Sequence, residues 1–175
     1  MAEVAQGLQR LARFFFQDPI EAFGRVGRPI GLANGAGDQQ FEDMLSTFVD
    51  SVPHRFKPAV SRTETWCMVA FPAPSKKYER LALSFNRESC AIFYFGTILM
   101  DADIARKRSW IIAVCRAVAE GHSKAAVRPG GGGLVSVDLR PFGFGETLVA
   151  ERSSLPILKD RPAVERFYPA WSELA

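Results

Sequence analysis

RLALSFNRESCAIFYFGTILM, residues 80–100, is the stretch whose reading decides the fold. Leu81, Leu83 and Phe85 alternate with Arg80 and Ser84, the period of two that sends successive side chains to opposite faces of a strand. Asn86, Arg87 and Glu88 supply turn chemistry. CAIFYFGTILM, 90–100, then reads as the return strand, so the segment is a hairpin and the sheet around it is antiparallel. Just upstream, TETWCMVAF (63–71) is β-branched and aromatic, with Trp66 and Met68 on one face and Cys67, Val69 and Phe71 on the other. Large groups on both faces predict a strand covered on both sides.

Helical signals bracket this core. Phe41, Met44, Leu45, Phe48 and Val49 recur at i, i+3, i+4, i+7 and i+8, and Asp38 stands where an N-cap carboxylate belongs. After the hairpin, Asp101 or Asp103 opens a helix near 102–120, with Trp110, Ile111, Val114, Ala117 and Val118 as its apolar stripe and Gly121 as its stop. LVSVDL (134–139), RPFGFG (140–145) and ETLVAE (146–151) form a second hairpin. Asp160 and Pro162 then predict a last short helix ending near Pro169.

Residues 2–16 place Val4, Leu8, Leu11, Ala12 and Phe15 on one helical stripe, and the glycine-rich run GRVGRPIGLANGAGD (24–38) follows as a linker. The predicted order is α, α, β, β, β, α, β, β, α. The fold class is α+β: a single mixed, mainly antiparallel sheet of about five strands covered by helices, with an N-terminal amphipathic arm. Residues 1–37 form the arm and linker, and residues 38–175 form the α+β domain. Several small folds share this element order, so it carries no function by itself.

Composition narrows the class without naming an activity. At 175 residues, 47% apolar and 23% charged, the chain is an ordinary globular protein rather than a disordered one. A net charge of +3 permits anionic partners without demanding them. Cys67, Cys90 and Cys115 are too widely spaced for a disulfide framework or zinc motif and read as buried thiols of a reducing, intracellular compartment. Cytoplasm and an organelle of mitochondrial type are not distinguished. No run is long and apolar enough to span a bilayer, and the N-terminus lacks a secretory signal pattern.

The candidate chemical sites each have a structural explanation. Gly130–Gly133 has no following Lys and Ser/Thr and precedes a strand, so it reads as a connection rather than a phosphate loop. His54 and His122 have no ligand at metal spacing; His122 fits a helix C-terminus. Cys115 beside Arg116 points to burial rather than a thiolate nucleophile. The pairs Glu42 with Asp43 and Asp101 with Asp103 suit capping and a solvated face better than acid–base work. Lys76, Lys77, Arg106–Arg108, Lys124 and Arg128 accompany no nucleic-acid motif, so nucleic acid is disfavoured.

An aromatic excess near the ends stands out. Phe14, Phe15, Phe16 and Phe23 precede the linker, and Phe167, Tyr168 and Trp171 close the chain. Leu8, Leu11 and these seven aromatics form the expected partner-binding set, because exposed aromatic area marks an interface. The alternative is that both ends pack on the sheet. The expectation is a non-catalytic structural or interaction subunit of a larger assembly, without catalytic residues, metal or cofactor, docking through its arm. Peripheral membrane contact through Arg10 and Arg13 is the competing version. The alternative function is a small-molecule-binding domain or enzyme with a pocket walled by Trp66, Phe93 and Tyr94.

Overall fold

The computed structural model describes residues 38–62, 66–73, 80–95, 97–128, 132–152 and 162–174. The expected arm and linker, Lys76, Lys77 and Asp160 lie outside them. Helix α1 (Gln39–Ser51) starts at Asp38, whose carboxylate accepts from the Phe41 amide. Strands β1 (Ala59–Arg62), β2 (Cys67–Ala70), β3 (Ala82–Phe85), β4 (Ser89–Tyr94) and β5 (Thr97–Asp103) follow. Helix α2 (Ile104–Ala119) comes next, capped by Asp103 and stopped at Gly121 with φ 81°. The chain closes with β6 (Ser123–Val127), β7 (Gly133–Asp138), β8 (Thr147–Arg152), β9 (Val164–Tyr168) and a short 3-10 turn at Trp171–Leu174.

These strands make two sheets, ordered β1-β2-β3-β4-β5 and β8-β7-β6-β9, where one sheet was expected. Every described pairing is antiparallel, so the sheet is not mixed either. Three strands were not anticipated. β1 and β6 are short, and β6 is alanine-rich, so neither has the β-branched signature of a strand. β9 replaces the predicted last helix: VERFY gains its ladder from β6, and that tertiary partner overrides the local helix-start signal.

The run 90–100 is two strands rather than one. Phe95 adopts φ 58° and turns β4 into β5, which pairs with β4 through a register shift at Ile92/Phe93. Helix α2 separates β5 from β6 in sequence, and these two strands belong to different sheets. The two sheets still meet at their β5 and β8 edges, where the Thr97 hydroxyl donates to the Glu151 carbonyl at 3.3 Å.

The inner faces of both sheets, the apolar stripes of both helices and the C-terminal turn share one hydrophobic cluster. Phe41 of α1 meets Phe85 of β3 edge-on at 5.2 Å, and Tyr94 of β4 hydrogen-bonds Ser123 of β6 at 3.0 Å, a buried link between the sheets. Charged ties hold the outside of this core. Arg108 of α2 bonds both carboxylate oxygens of Asp38, and the Trp110 indole donates to Glu146 ahead of β8.

Candidate functional site

Strands β6, β7 and β8 alternate, and that alternation builds the site, while the first four residues of β9 are all exposed. Ser123, Ala125, Val135, Val137 and Tyr168 are buried against the core. The intervening residues face outward in two cross-strand rows, Val149–Ser136–Lys124–Phe167 and Glu151–Leu134–Ala126–Glu165. Val149, Leu134, Ala126 and Phe167, one from each strand, therefore form a bent apolar band, its ends in the first row separated by Ser136 and Lys124 and its middle in the second row between Glu151 and Glu165. Phe167 is 69% exposed and Val149 62%, with Leu134 also exposed. Lys124 flanks this band, its ammonium 6.0 Å from the Phe167 ring and 3.9 Å from Glu165. Lys124 and Ser136 sit inside the bend and Glu151 and Glu165 at its sides, so apolar and charged groups are interleaved on this face.

Glycine shapes one end of this face. A Cβ on Gly133 would stand 2.1 Å from the Ala126 carbonyl oxygen, so β6 and β7 approach there as only glycine allows. Gly133 thus opens β7 opposite Val127, and the Gly132 carbonyl accepts from the Arg128 amide, while Gly130 and Gly131 lie outside the described residues.

The expected partner-binding set divides. Leu8, Leu11, Phe14, Phe15, Phe16 and Phe23 lie outside the described residues. Of the C-terminal trio, Phe167 is on the surface, while Tyr168 and Trp171 are buried. Trp171 packs on Phe56 and Phe71 at 5.5 and 5.3 Å, and Tyr168 on Tyr94 at 5.8 Å. Their aromatic area thus consolidates the chain's own core. Period two explains the split: Phe167 and Tyr168 are neighbours in β9 and must point to opposite faces.

The proposed pocket walls are not brought together. Tyr94 faces the core and Phe93, next to it in β4, faces the opposite side, as does Trp66 relative to inward-facing Cys67. The covered-on-both-sides expectation for β2 meets a strand whose Cys67 and Val69 are buried but whose Trp66 is exposed. Ser84 lies on the face opposite Leu83 and Phe85, as its alternation implies, and is buried in central β3.

Among the titratable candidates, Cys67, Cys90 and Cys115 are all buried. Desolvation pushes the Cys115 thiol up to about 12 and raises that of Cys67, opposite to what a nucleophile needs. His122 is exposed; its backbone amide closes α2 on Ala117, and its ring meets Phe142 edge-on at 5.6 Å. His54 is exposed and begins the 3-10 turn His54–Phe56. Arg106 reaches Asp103, Arg108 holds Asp38 and Lys124 approaches Glu165, so these basic groups are engaged in separate ion pairs. Among the described residues no group of three His, Cys, Asp or Glu side chains is placed to hold a metal ion. No described helix is long and apolar enough to cross a membrane.

Glu42 departs from its expected solvated place. It is 2% exposed, on the core side of α1, and neither carboxylate oxygen has a hydrogen-bond partner. Arg62 of β1 stands 3.6 Å away. Burial raises the Glu42 pKa and Arg62 only partly opposes it. The signal lay in spacing: Glu42, Leu45 and Val49 are i, i+3 and i+7 on one stripe. Asp43, its neighbour, is exposed and accepts from Gln39.

Comparison with known protein families, curated proteins and solved structures finds no match to this chain.

Proposed function

We propose that the protein is a non-catalytic interaction subunit of a larger assembly, and that it docks a protein partner on the outer face of its second sheet. The observation that supports this reading is the band of exposed Val149, Leu134 and Phe167, with half-buried Ala126, on the face opposite the core. Exposed aromatic and aliphatic side chains gathered on one sheet face mark a candidate contact surface. Covering Phe167 and Leu134 would contribute roughly 1.5–3 kcal/mol each, enough for two side chains to dominate a modest interface. Lys124, Glu151 and Glu165 would set register and reject like-charged surfaces. The expected arm of residues 1–23 is a second contact in this reading, and the sheet face carries the supporting observation.

The test is a pair of full-length variants, Phe167→Glu and Leu134→Glu, compared with the wild type by quantitative co-purification from the native source. Loss of a reproducible partner, with melting unchanged within about 2 °C as for an ordinary surface substitution, is the expected result. Unchanged recovery would sink the reading. A saturable rise in melting temperature with a small metabolite, equal in all three proteins, would favour the small-molecule alternative instead.

A further inference from the structure

Arg62 stands directly opposite Cys67 in the last pair of the β1–β2 ladder, so the two side chains share the inner face of the first sheet. Glu42 of α1 faces the same guanidinium at 3.6 Å. One arginine therefore serves two buried acids, a carboxylate without a hydrogen-bond partner and a fully buried thiol. Burial raises the Cys67 thiol, Arg62 lowers it and the charge of Glu42 raises it again, so carboxylate and thiolate compete for one cation. Asp43 beside Glu42 adds a negative charge on the solvent side of α1. Past Cys67 the row continues through Phe85, Cys90 and Ala102.

We propose that this corner is a redox switch, in which Cys67 is oxidised by a hydroperoxide once its proton has passed to Glu42 and Arg62 has paired with the thiolate. At rest Cys67 is a neutral thiol and Arg62 faces the Glu42 carboxylate. In the reactive state the thiolate attacks one peroxide oxygen, an S–O bond forms and the O–O bond breaks. The sulfur is oxidised to a sulfenic acid and the peroxide is reduced. Its departing oxygen takes the proton from Glu42 and leaves as water or an alcohol, which returns Glu42 to a carboxylate facing Arg62. Access comes through the edge: β1 pairs with β2 alone among the described strands, and the Arg62 side chain is 26% exposed. A ladder end on an edge strand is where local opening is easiest. Cys90 lies on β4 between β3 and β5, and Cys115 within the buried stretch of α2. Oxygen added to Cys67 crowds Phe85, which packs edge-on against Phe41, and overpacking there loosens α1. The switch is independent of the second-sheet docking face.

A hydrogen peroxide pulse on the full-length protein, with dimedone trapping of sulfenic acid read by mass spectrometry, tests it. Cys67 should be trapped at least about tenfold faster than Cys90 and Cys115. Glu42→Gln removes the competing charge and should speed Cys67 about tenfold at neutral pH, whereas Arg62→Gln should slow it by a similar factor. Loosening of the fold would instead speed all three cysteines in both variants. Equal trapping of the three thiols, or a Cys67 rate that the two variants leave unchanged or move in the same direction, overturns the proposal. If Arg62→Gln loses its fold by circular dichroism, the pH profile of Cys67 alkylation by iodoacetamide decides: its midpoint should fall in Glu42→Gln, and an unchanged midpoint overturns the shared arginine. Peroxide should also lower the melting temperature of the wild type by about 3 °C and leave Cys67→Ala unmoved. A wild type that melts unchanged after Cys67 is oxidised is not switched, which overturns the proposal as well.

Discussion

Strand β3 of the first sheet and strand β9 of the second are four and five residues long, yet all of β3 is buried while the first four residues of β9 are exposed. Both contain a large aromatic, Phe85 and Phe167. Phe85 stacks against Phe41 in the core, and Phe167 lies 69% exposed beside Lys124. The difference comes from place in the ladder. β3 has a strand on each side and packed groups on its inner face, whereas β9 is the last strand of its sheet and carries Glu165 and Arg166 in the middle of its sequence. Charge at an edge strand is the usual protection against unwanted pairing.

The largest effect expected from this comparison is on stability. Phe85→Ala should lower the unfolding free energy by about 3–5 kcal/mol through lost burial and a cavity. Phe167→Ala should change it by less than about 0.5 kcal/mol. Urea unfolding of the two variants checks this. Similar losses would mean that the exposed face of the second sheet is packed in solution and that the two strands do not differ as described.

A smaller effect lies on the inner side of the first sheet, where Glu42 faces Arg62. Replacing Glu42 by Met removes a buried carboxylate without hydrogen-bond partners and should stabilise the protein by about 1–3 kcal/mol at neutral pH. The pH dependence has a definite sign. The folded-state pKa of Glu42 is raised above its ordinary 4.5 by burial, so the folded state binds the proton more tightly. Stability from this group rises as pH falls through the raised value towards 4.5, then levels. Asp138 acts the other way: hydrogen bonds from Arg140 lower its pKa to about 2, so its contribution is present above its ordinary 3.8 and is lost as pH falls through about 2. Unfolding curves from pH 8 to 4.5 should show the acid-side gain in wild type and its absence in Glu42→Met; parallel curves would contradict the buried placement.

The smallest change in folding energy, and the sharpest test of the edge, concerns β9. If two copies paired antiparallel through β9, a two-fold axis normal to the sheet would keep each side chain on its own face. Only residues of like parity could then stand opposite each other. The central registers put Arg166 against its own copy or Glu165 against its own, and like charges directly opposed are destabilising. Glu165→Val with Arg166→Thr should leave stability within about 0.5 kcal/mol but promote concentration-dependent self-association, visible by sedimentation velocity. A double variant that stays monomeric at high concentration would show that something other than charge protects this edge.

Much of the framework was legible because its signals are local. Asp38 caps one helix, Asp101 or Asp103 opens the other, Gly121 stops it, and the apolar spacing of 41–49 and 110–118 needs no knowledge of the rest of the chain. The hairpins around 86–88 and 140–145 likewise follow from turn residues between alternating strands. The candidate face was half legible: Phe167 carried a signal as an aromatic near the terminus, while Leu134 and Val149 read as ordinary members of a hairpin. Which side of β7 and β8 meets solvent depends on where the core lies, and alternation alone does not say.

The sequence by itself determined the two helices with their caps, the antiparallel hairpins and the α+β class, since each rests on contacts within about a dozen residues. Tertiary structure decided the rest. Val164–Tyr168 is a strand because β6 lies beside it, and β6 is a strand because it lies between β7 and β9. Phe95 divides one apolar run into two strands through a backbone turn that its neighbours enforce. Glu42 and Trp171 are buried, and Phe167 exposed, by where α1, β2 and β6 meet. The physical reason is common to all of them: a strand's hydrogen bonds and a side chain's burial are completed by residues distant in sequence, whereas a helix closes its own bonds four residues away.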